Sequence, residues 1–158
     1  MAEDRKWHTR FIDHLEGLVQ SGDRAALARL RRGLGKQPGT VREMDSLVLP
    51  WLPPGLSWSQ IDAAYLVAAL FASHPDSGQT GNLGQAFATL CQRRRQRNGD
   101  THSLEHRFVA LLNAHADDLP GHLRHIVSLL QSGEPPVSVD WRRLLYDILH
   151  WSHPDRFV

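Results

Sequence analysis

Cysteine is almost absent from this chain, and apolar runs long enough to span a membrane are absent altogether. The single cysteine, Cys91, excludes an intramolecular disulfide framework, since a disulfide needs two thiols. The N-terminal stretch MAEDRKWHTR is charged where a signal peptide would be apolar. The longest apolar run, AAYLVAALFA at residues 63–72, is about half the length needed to cross a bilayer. We therefore expect a cytoplasmic protein without a membrane partner.

Acidic residues are missing from two stretches, residues 24–42 and 77–99. These stretches contain ten basic residues, namely Arg24, Arg29, Arg31, Arg32, Lys36, Arg42, Arg93, Arg94, Arg95 and Arg97. The rest of the chain contains the other eight basic residues and all 17 acidic residues. The net charge of +1 therefore conceals two basic segments in an otherwise acidic chain. Such asymmetry is expected when one surface meets a polyanion, although charge runs are often only solvated helix faces.

Apolar residues recur at helical spacing along almost the whole chain, and no stretch alternates steadily between apolar and polar residues. This pattern predicts an all-α fold, a compact bundle of about seven to eight helices. The length of 158 residues favours one single helical domain over residues 1–158.

Capping signals place several of these helices. A first helix is expected over about residues 3–19, and Asp23 should cap a second helix that ends at Gly33 or Gly35. The capping box of Ser57 and Gln60 should open the most apolar and central helix. Three prolines before it, Pro50, Pro53 and Pro54, predict an irregular connection with at most a short helix. Further caps are expected at Thr101 or Ser103 and at Asp140.

Signals for catalysis or metal binding are weak. Two histidine pairs, His102 with His106 and His122 with His125, have helical spacing, but neither has the glutamate of the H-E-x-x-H zinc motif. There is no G-x-S-x-G nucleophile motif, and Cys91 adjoins predicted core positions, which indicates a buried thiol. We therefore expect no metal, no cofactor and no catalytic residue.

The tripeptide His-Pro-Asp occurs at residues 74–76 and again at 153–155. It is the signature of co-chaperone J-domains, where it lies in the loop of a helical hairpin. Each occurrence here follows an apolar helix, and neither is preceded by a basic amphipathic helix. We interpret both as helix stops at a polar turn.

The arginines offer a more specific signal. On the second helix, Arg24, Arg31 and Arg32 share one face beside a leucine stripe, so they should point away from the core. Arg93 and Arg97 are one turn apart at a helix end, where cations also favour the helix dipole. Arginine presents a rigid fork of donors that suits phosphate.

Six motifs in order, ALARLRRGLG, YLVAALFASHP, GNLGQAF, SLEHRFVALLNA, LPGHLRHIVSLLQS and VDWRRLLYDILHW, resemble the small subunit of the type I-E CRISPR surveillance complex Cascade, the CasB family. The resemblance covers roughly residues 8–158. It implies an all-helical, non-catalytic protein present as two copies along the inner face of the complex. Its implied partners are the backbone subunits that hold the guide RNA, the large subunit and DNA. The implied role is to stabilise the R-loop, in particular the displaced non-target strand.

The resemblance also implies site residues. The LRR helix matches the basic motif of the family, so a DNA-contact role is carried onto Arg24, Arg31 and Arg32. Further candidates for nucleic-acid binding are Lys36, Arg93, Arg94, Arg97, Arg142 and Arg143. We expect Arg107 and Arg124, which adjoin core positions, to pair with carboxylates instead.

Two alternatives stay open at this point. A helical adaptor could use the same arginines to bind acidic protein surfaces without touching nucleic acid, and a metal-dependent nuclease is a third possibility. The chain departs from the family at its end: members usually continue past the last helix with Trp-Ala and a terminal aromatic residue, whereas this sequence ends in DRFV. We therefore expect a truncated C-terminal tail.

Overall fold

The computed structural model describes residues 4–78 and 81–151, with side chains from Trp7 onward. This part of the chain contains eight α-helices and no β-strand, and an isolated pairing joins Ser77 to Val139. The helices are α1 (Asp4–Gln20), α2 (Arg24–Arg31), α3 (Asp45–Val48), α4 (Trp58–Ser73), α5 (Leu83–Gln96), α6 (His102–Leu112), α7 (Leu119–Gln131) and α8 (Trp141–Leu149). They surround one hydrophobic core. The prediction of an all-α bundle is confirmed.

Helix α4 lies at the centre and packs against α2, α3, α7 and α8. Nine of its 16 residues are buried, five of them alanines, whose small side chains let the neighbouring helices approach closely. The predicted capping box opens it: the Gln60 N–H donates to Ser57 Oγ at 3.3 Å, and the Ser57 N–H donates to Gln60 Oε1 at 2.8 Å. The prediction of a capped, central apolar helix is confirmed.

Helix α2 presents one face to α4 and the other to solvent. Asp23 caps it as predicted, its Oδ1 accepting a hydrogen bond from the Ala26 N–H at 3.0 Å. Ala26 and Leu30 are completely buried, while Leu27 is partly buried beside them. This buried stripe fixes the rotation of the helix about its axis. The arginines on the opposite side of the helix therefore point toward solvent.

Helix α2 ends at Arg31, which corrects the predicted end at Gly33 or Gly35. Two glycines so close together disfavour the helix, and Gly35 adopts a φ of 72°, which suits a turn. A Cβ on Gly33 would lie 2.6 Å from Met44 Sδ, so the backbone here passes directly over the core. The chain then turns, and Lys36 lies exposed in that turn.

The connection between α2 and α4 contains short helical pieces, as its prolines predicted. Two 3-10 turns, Arg42–Met44 and Leu49–Trp51, flank the four-residue α3. Trp51 stacks on His14 of α1, with ring centroids 3.5 Å apart and an interplanar angle of 8°. The His14 Nε2–H donates to the carbonyl oxygen of Leu47 at 2.8 Å. These two contacts attach the connection to α1.

The contacts of His14 predict a loss of stability in mild acid. Burial lowers the pKa of His14 from its ordinary value of 6.5 and outweighs the hydrogen bond to Leu47, which acts in the opposite direction. Between the lowered pKa and 6.5 the unfolded chain binds a proton that the folded chain does not, so folding weakens as the pH falls through this window. The melting temperature should therefore fall as the pH is lowered through 6.5 toward the lowered pKa of His14.

The matched variant for this prediction is His14→Phe, which keeps an aromatic ring against Trp51 but cannot titrate. Its melting temperature should fall less over the same pH range than that of the parent chain. Thermal unfolding followed by circular dichroism measures both. Equal losses in the two chains would show that His14 does not carry the pH dependence.

Hydrogen bonds at the remaining helix ends confirm one predicted cap and correct another. Asp140 caps α8 as predicted, accepting from the Arg143 N–H at 3.1 Å. Thr101 occupies the N-cap position of α6, but its hydroxyl donates to Glu105 and does not cap the helix. The His102 N–H instead donates to Asp100 Oδ1 at 2.8 Å.

The first His-Pro-Asp tripeptide stops a helix, as interpreted from the sequence. His74 follows α4 and is almost completely buried, with its Nε2–H donating to the carbonyl oxygen of Val137 at 2.7 Å. This bond joins the end of α4 to the segment before α8. The second copy, at 153–155, lies outside the described residues.

Candidate nucleic-acid interface

The outward side of α2 and the turn after it form an exposed cationic surface, which we call the α2 basic surface: Arg24, Arg31, Arg32 and Lys36. Within the described residues, Arg24, Arg31 and Lys36 have no carboxylate partner. Arg32 pairs with Glu43 of the following connection, and both side chains are more than half exposed. Exposed pairs of this kind contribute about 0–1 kcal/mol, so Arg32 can exchange its carboxylate for a phosphate at little cost.

The basic end of α5 is largely engaged by the turn before α8. Arg93 Nη1 donates to the carbonyl oxygen of Pro135 at 2.9 Å, and Arg97 Nη2 donates to that of Glu134 at 2.6 Å. Arg97 also pairs with the Glu134 carboxylate at 3.2 Å. Arg94 is exposed, and its side-chain stem packs against Gly99. Of the three predicted site residues here, Arg94 alone keeps its guanidinium free of partners in the described part of the chain.

Helix α8 uses its two candidate arginines within the fold. Arg142 donates to Glu16 Oε1 at 3.0 Å and Oε2 at 2.9 Å, and it also pairs with Asp13. The hydrogen bonds from Arg142 to Glu16 are the main cause that raises the pKa of Arg142 above its usual value. Arg143 pairs with Asp147 one turn later at 3.0 Å. The charge of Arg142 is thus balanced by α1, which favours a structural role for it.

The expectation that Arg107 and Arg124 pair with carboxylates is not met among the described residues. Both are exposed, and neither has an ion pair in the described part of the chain. The guanidinium of Arg124 lies over the turn after α2. It is so close to Gly35 that a Cβ on this glycine would collide with Arg124 Nη1. Sequence reasoning missed this neighbour of Lys36, since α7 follows that turn by more than 80 residues. A surface of free guanidinium groups suits phosphate.

Comparison with known proteins identifies the family. The family model for CRISPR-associated protein Cse2 matches residues 26–158. The chain belongs to the Cse2 family. The CRISPR-associated protein Cse2 of Thermus thermophilus is 37% identical over 152 residues, covering 94% of this chain and 83% of that relative. The resemblance to the CasB family drawn from the sequence is confirmed.

Solved structures of Cse2 and CasB proteins share the fold. The crystal structure of a CRISPR-associated protein of the Cse2 family from Thermus thermophilus matches with a TM-score of 0.78 and 34% identity, over 94% of this chain and 89% of that one. CasB from M. ruber matches with a TM-score of 0.74 and 30% identity, over 94% of this chain and 85% of that one. Membership of this CRISPR-associated family supports the expected place in Cascade.

Among the described residues, the side chains that could bind a metal ion or act as a nucleophile are separated or buried. Across residues 4–78 and 81–151, no group of three or more His, Cys, Asp and Glu side chains could hold a metal ion. Cys91 is buried as predicted, and burial raises the pKa of its thiol, which disfavours the reactive thiolate. No helix in the described part is long and apolar enough to span a bilayer. The predicted C-terminal truncation concerns residues outside the described ranges and stays a prediction.

Proposed function

We propose that this Cse2-family chain is a non-catalytic, nucleic-acid-binding subunit of type I-E Cascade that stabilises the R-loop between guide RNA and target DNA, together with the displaced strand, in antiviral defence. The α2 basic surface carries this proposal, because Arg24, Arg31 and Lys36 are exposed cations with no carboxylate partner among the described residues. Family membership supplies the CRISPR context. Arg32 and Arg94 are the further contacts that the geometry favours.

Weak contacts are sufficient for this role. An RNA–DNA duplex is about as stable as the DNA duplex that it replaces, so R-loop formation is close to balance and modest backbone contacts shift it. Contacts with phosphates displace condensed counterions and are independent of sequence. The arginines and the lysine of the α2 basic surface provide contacts of this kind. The proposed partners are the displaced and target DNA strands, the backbone and large subunits of Cascade, a second copy of the chain and, indirectly, the guide RNA.

Arg31→Gln tests the proposal directly. Loss of one phosphate contact should weaken the binding of single- and double-stranded DNA roughly two- to tenfold and lower the slope of log affinity against log salt by about one. The same variant should shorten the lifetime of the R-loop in a reconstituted complex. Fluorescence anisotropy over a salt series measures the slope, and strand-displacement kinetics measure the lifetime.

The matched control is Arg95→Gln. Arg95 is also exposed, but at the C-terminal end of α5 it already pairs with Glu105 of α6, so the variant loses the same formal charge from a cation that has a carboxylate partner. It should keep the salt slope of the parent chain. If the parent chain shows a slope near zero, or if the two variants lose the same affinity, the α2 basic surface does not bind DNA. The adaptor function, in which these arginines meet acidic protein surfaces, would then replace the proposal.

A further inference from the structure

A large cleft lies beside the α2 basic surface. It has a volume of about 980 Å³ and opens between the turn after α2, the part of α4 from Ser59 to Leu70, the start of α7 and the end of α8. We call it the α4–α7 cleft and define it by Lys36, Asp62, Leu66, Leu119, Arg124 and Leu149. Its volume is at the upper end of the range of about 300–1,000 Å³ that small-molecule sites occupy. It is therefore large enough for the base and sugar of a nucleotide.

Two cations border this cleft without carboxylate partners in the described part of the chain. Lys36 lies in the turn after α2, and Arg124 lies on α7. Gly35 brings them together, because its lack of a side chain leaves room for the Arg124 guanidinium directly over the backbone preceding Lys36. A side chain on Gly35 would occupy the position of Nη1. The cleft therefore carries positive charge at this border.

An exposed tryptophan immediately precedes two residues that line the same cleft. Trp58, the first residue of α4, is 81% exposed, whereas Leu49 and Trp51 in the preceding connection are 47% and 41% exposed. The two residues that follow it, Ser59 and Gln60, line the cleft, as does Asp62 one helical turn after Trp58. The capping box holds this first turn rigidly, so the indole ring projects from a fixed backbone.

The polar neighbourhood of Trp58 favours a base over a protein side chain. The ring is flanked by Ser57 and Ser59, whose hydroxyl groups contact each other at 3.1 Å, and Asp62 follows one turn later. The carboxylates of Asp62 and Asp117 in the cleft can accept hydrogen bonds from the amino groups of bases.

We infer that the α4–α7 cleft binds single-stranded nucleic acid, with one base stacked on Trp58 and the adjoining phosphates bound by Lys36 and Arg124. Aromatic stacking combined with a cationic groove is the usual means of binding single strands without sequence preference. A duplex cannot use this site, because its bases are stacked on each other. The inference rests on the proposed function and deepens it, since it assigns the unpaired strand to a cleft that shares only Lys36 with the α2 basic surface.

Trp58→Ala in the full-length protein is the test. Its affinity for a fluorescently labelled single-stranded oligodeoxycytidine should fall roughly five- to tenfold, while its affinity for a duplex of equal length stays unchanged. Trp58→Phe should recover much of the loss, because it keeps a ring on which a base can stack. Leu49→Ala is the matched control: it removes another exposed apolar side chain, in the connection before α4, and should leave both affinities unchanged. Circular dichroism verifies that each variant is folded.

Arg124→Gln provides a second measurement. It should lower the salt slope for the single strand by about one and leave the slope for the duplex unchanged. Equal losses for single strand and duplex in Trp58→Ala would overturn the stacking site. So would unchanged DNA binding combined with weaker assembly into Cascade, which would make Trp58 a protein contact. If Arg31→Gln weakens DNA binding but Trp58→Ala does not, this inference fails and the proposed function stands. If neither variant matters, both fail.

Discussion

The Phe71→Ala variant should unfold with a free energy about 3–5 kcal/mol lower than that of the parent chain. Phe71 lies on α4, is completely buried, and packs edge-on against Trp141 of α8 with ring centroids 5.7 Å apart and an interplanar angle of 72°. The substitution removes most of a large side chain where α4 and α8 meet, and the rigid helices around it cannot close the cavity. An aromatic pair of this geometry adds about 0.5–1.5 kcal/mol to the cost. Urea unfolding followed by circular dichroism measures the loss.

Two variants separate the packing effect from other causes. Phe71→Leu keeps most of the volume and should cost clearly less than Phe71→Ala. Val109→Ala removes an exposed side chain, 53% accessible on α6, and should change stability by less than about 0.5 kcal/mol. A loss below about 1 kcal/mol for Phe71→Ala would show that α4 and α8 can repack, and the description of α4 as the rigid centre of the bundle would then be wrong.

The sequence was sufficient to predict the helices and several of their caps, because these depend on residues close together in the chain. The periodicity located the central helix, and the caps at Asp23, Ser57 and Asp140 each bind a backbone N–H three residues later. The capping box of Asn82 and Gln85 at the start of α5 was missed, although its spacing is the same. There the loop composition of the preceding segment obscured the signal.

The partners of the arginines could not be predicted in the same way. The helical spacing of the arginines showed which side chains point away from the core, but it did not show which carboxylates they contact. Arg32 pairs with Glu43 from a different element, whereas Arg31 beside it has no carboxylate partner in the described ranges. Arg142 meets Glu16, 126 residues earlier, only because α8 packs against α1. Charge compensation therefore follows from helix packing, which a single sequence does not display.

Replacing Arg142 should lower the stability of the fold without changing its affinity for DNA. Arg142→Ala should lower the free energy of unfolding by about 1.5–3 kcal/mol, the usual value of hydrogen bonds to charged groups. Its side chain is 35% exposed, so solvent screening places the expected loss toward the lower end of this range. The variant also leaves Glu16, which is less exposed than Asp13, without its cation. By contrast, DNA affinity measured on the folded protein should not change, because this guanidinium is already occupied by α1.

The ion-pair geometry predicts how conservative variants behave as well. Arg142→Lys keeps the charge but cannot donate to both Glu16 oxygens from a planar fork, so it should recover only part of the lost stability. Glu16→Gln combined with Arg142→Ala should cost less than the sum of the two single changes, since each removes the same interaction. The opposite pattern, with unchanged stability and weaker DNA binding in Arg142→Ala, would place Arg142 in the nucleic-acid interface. That outcome would overturn the structural role of Arg142. It would mean that the guanidinium leaves its carboxylate partners on α1 and binds phosphate, without a cost to the stability of the fold.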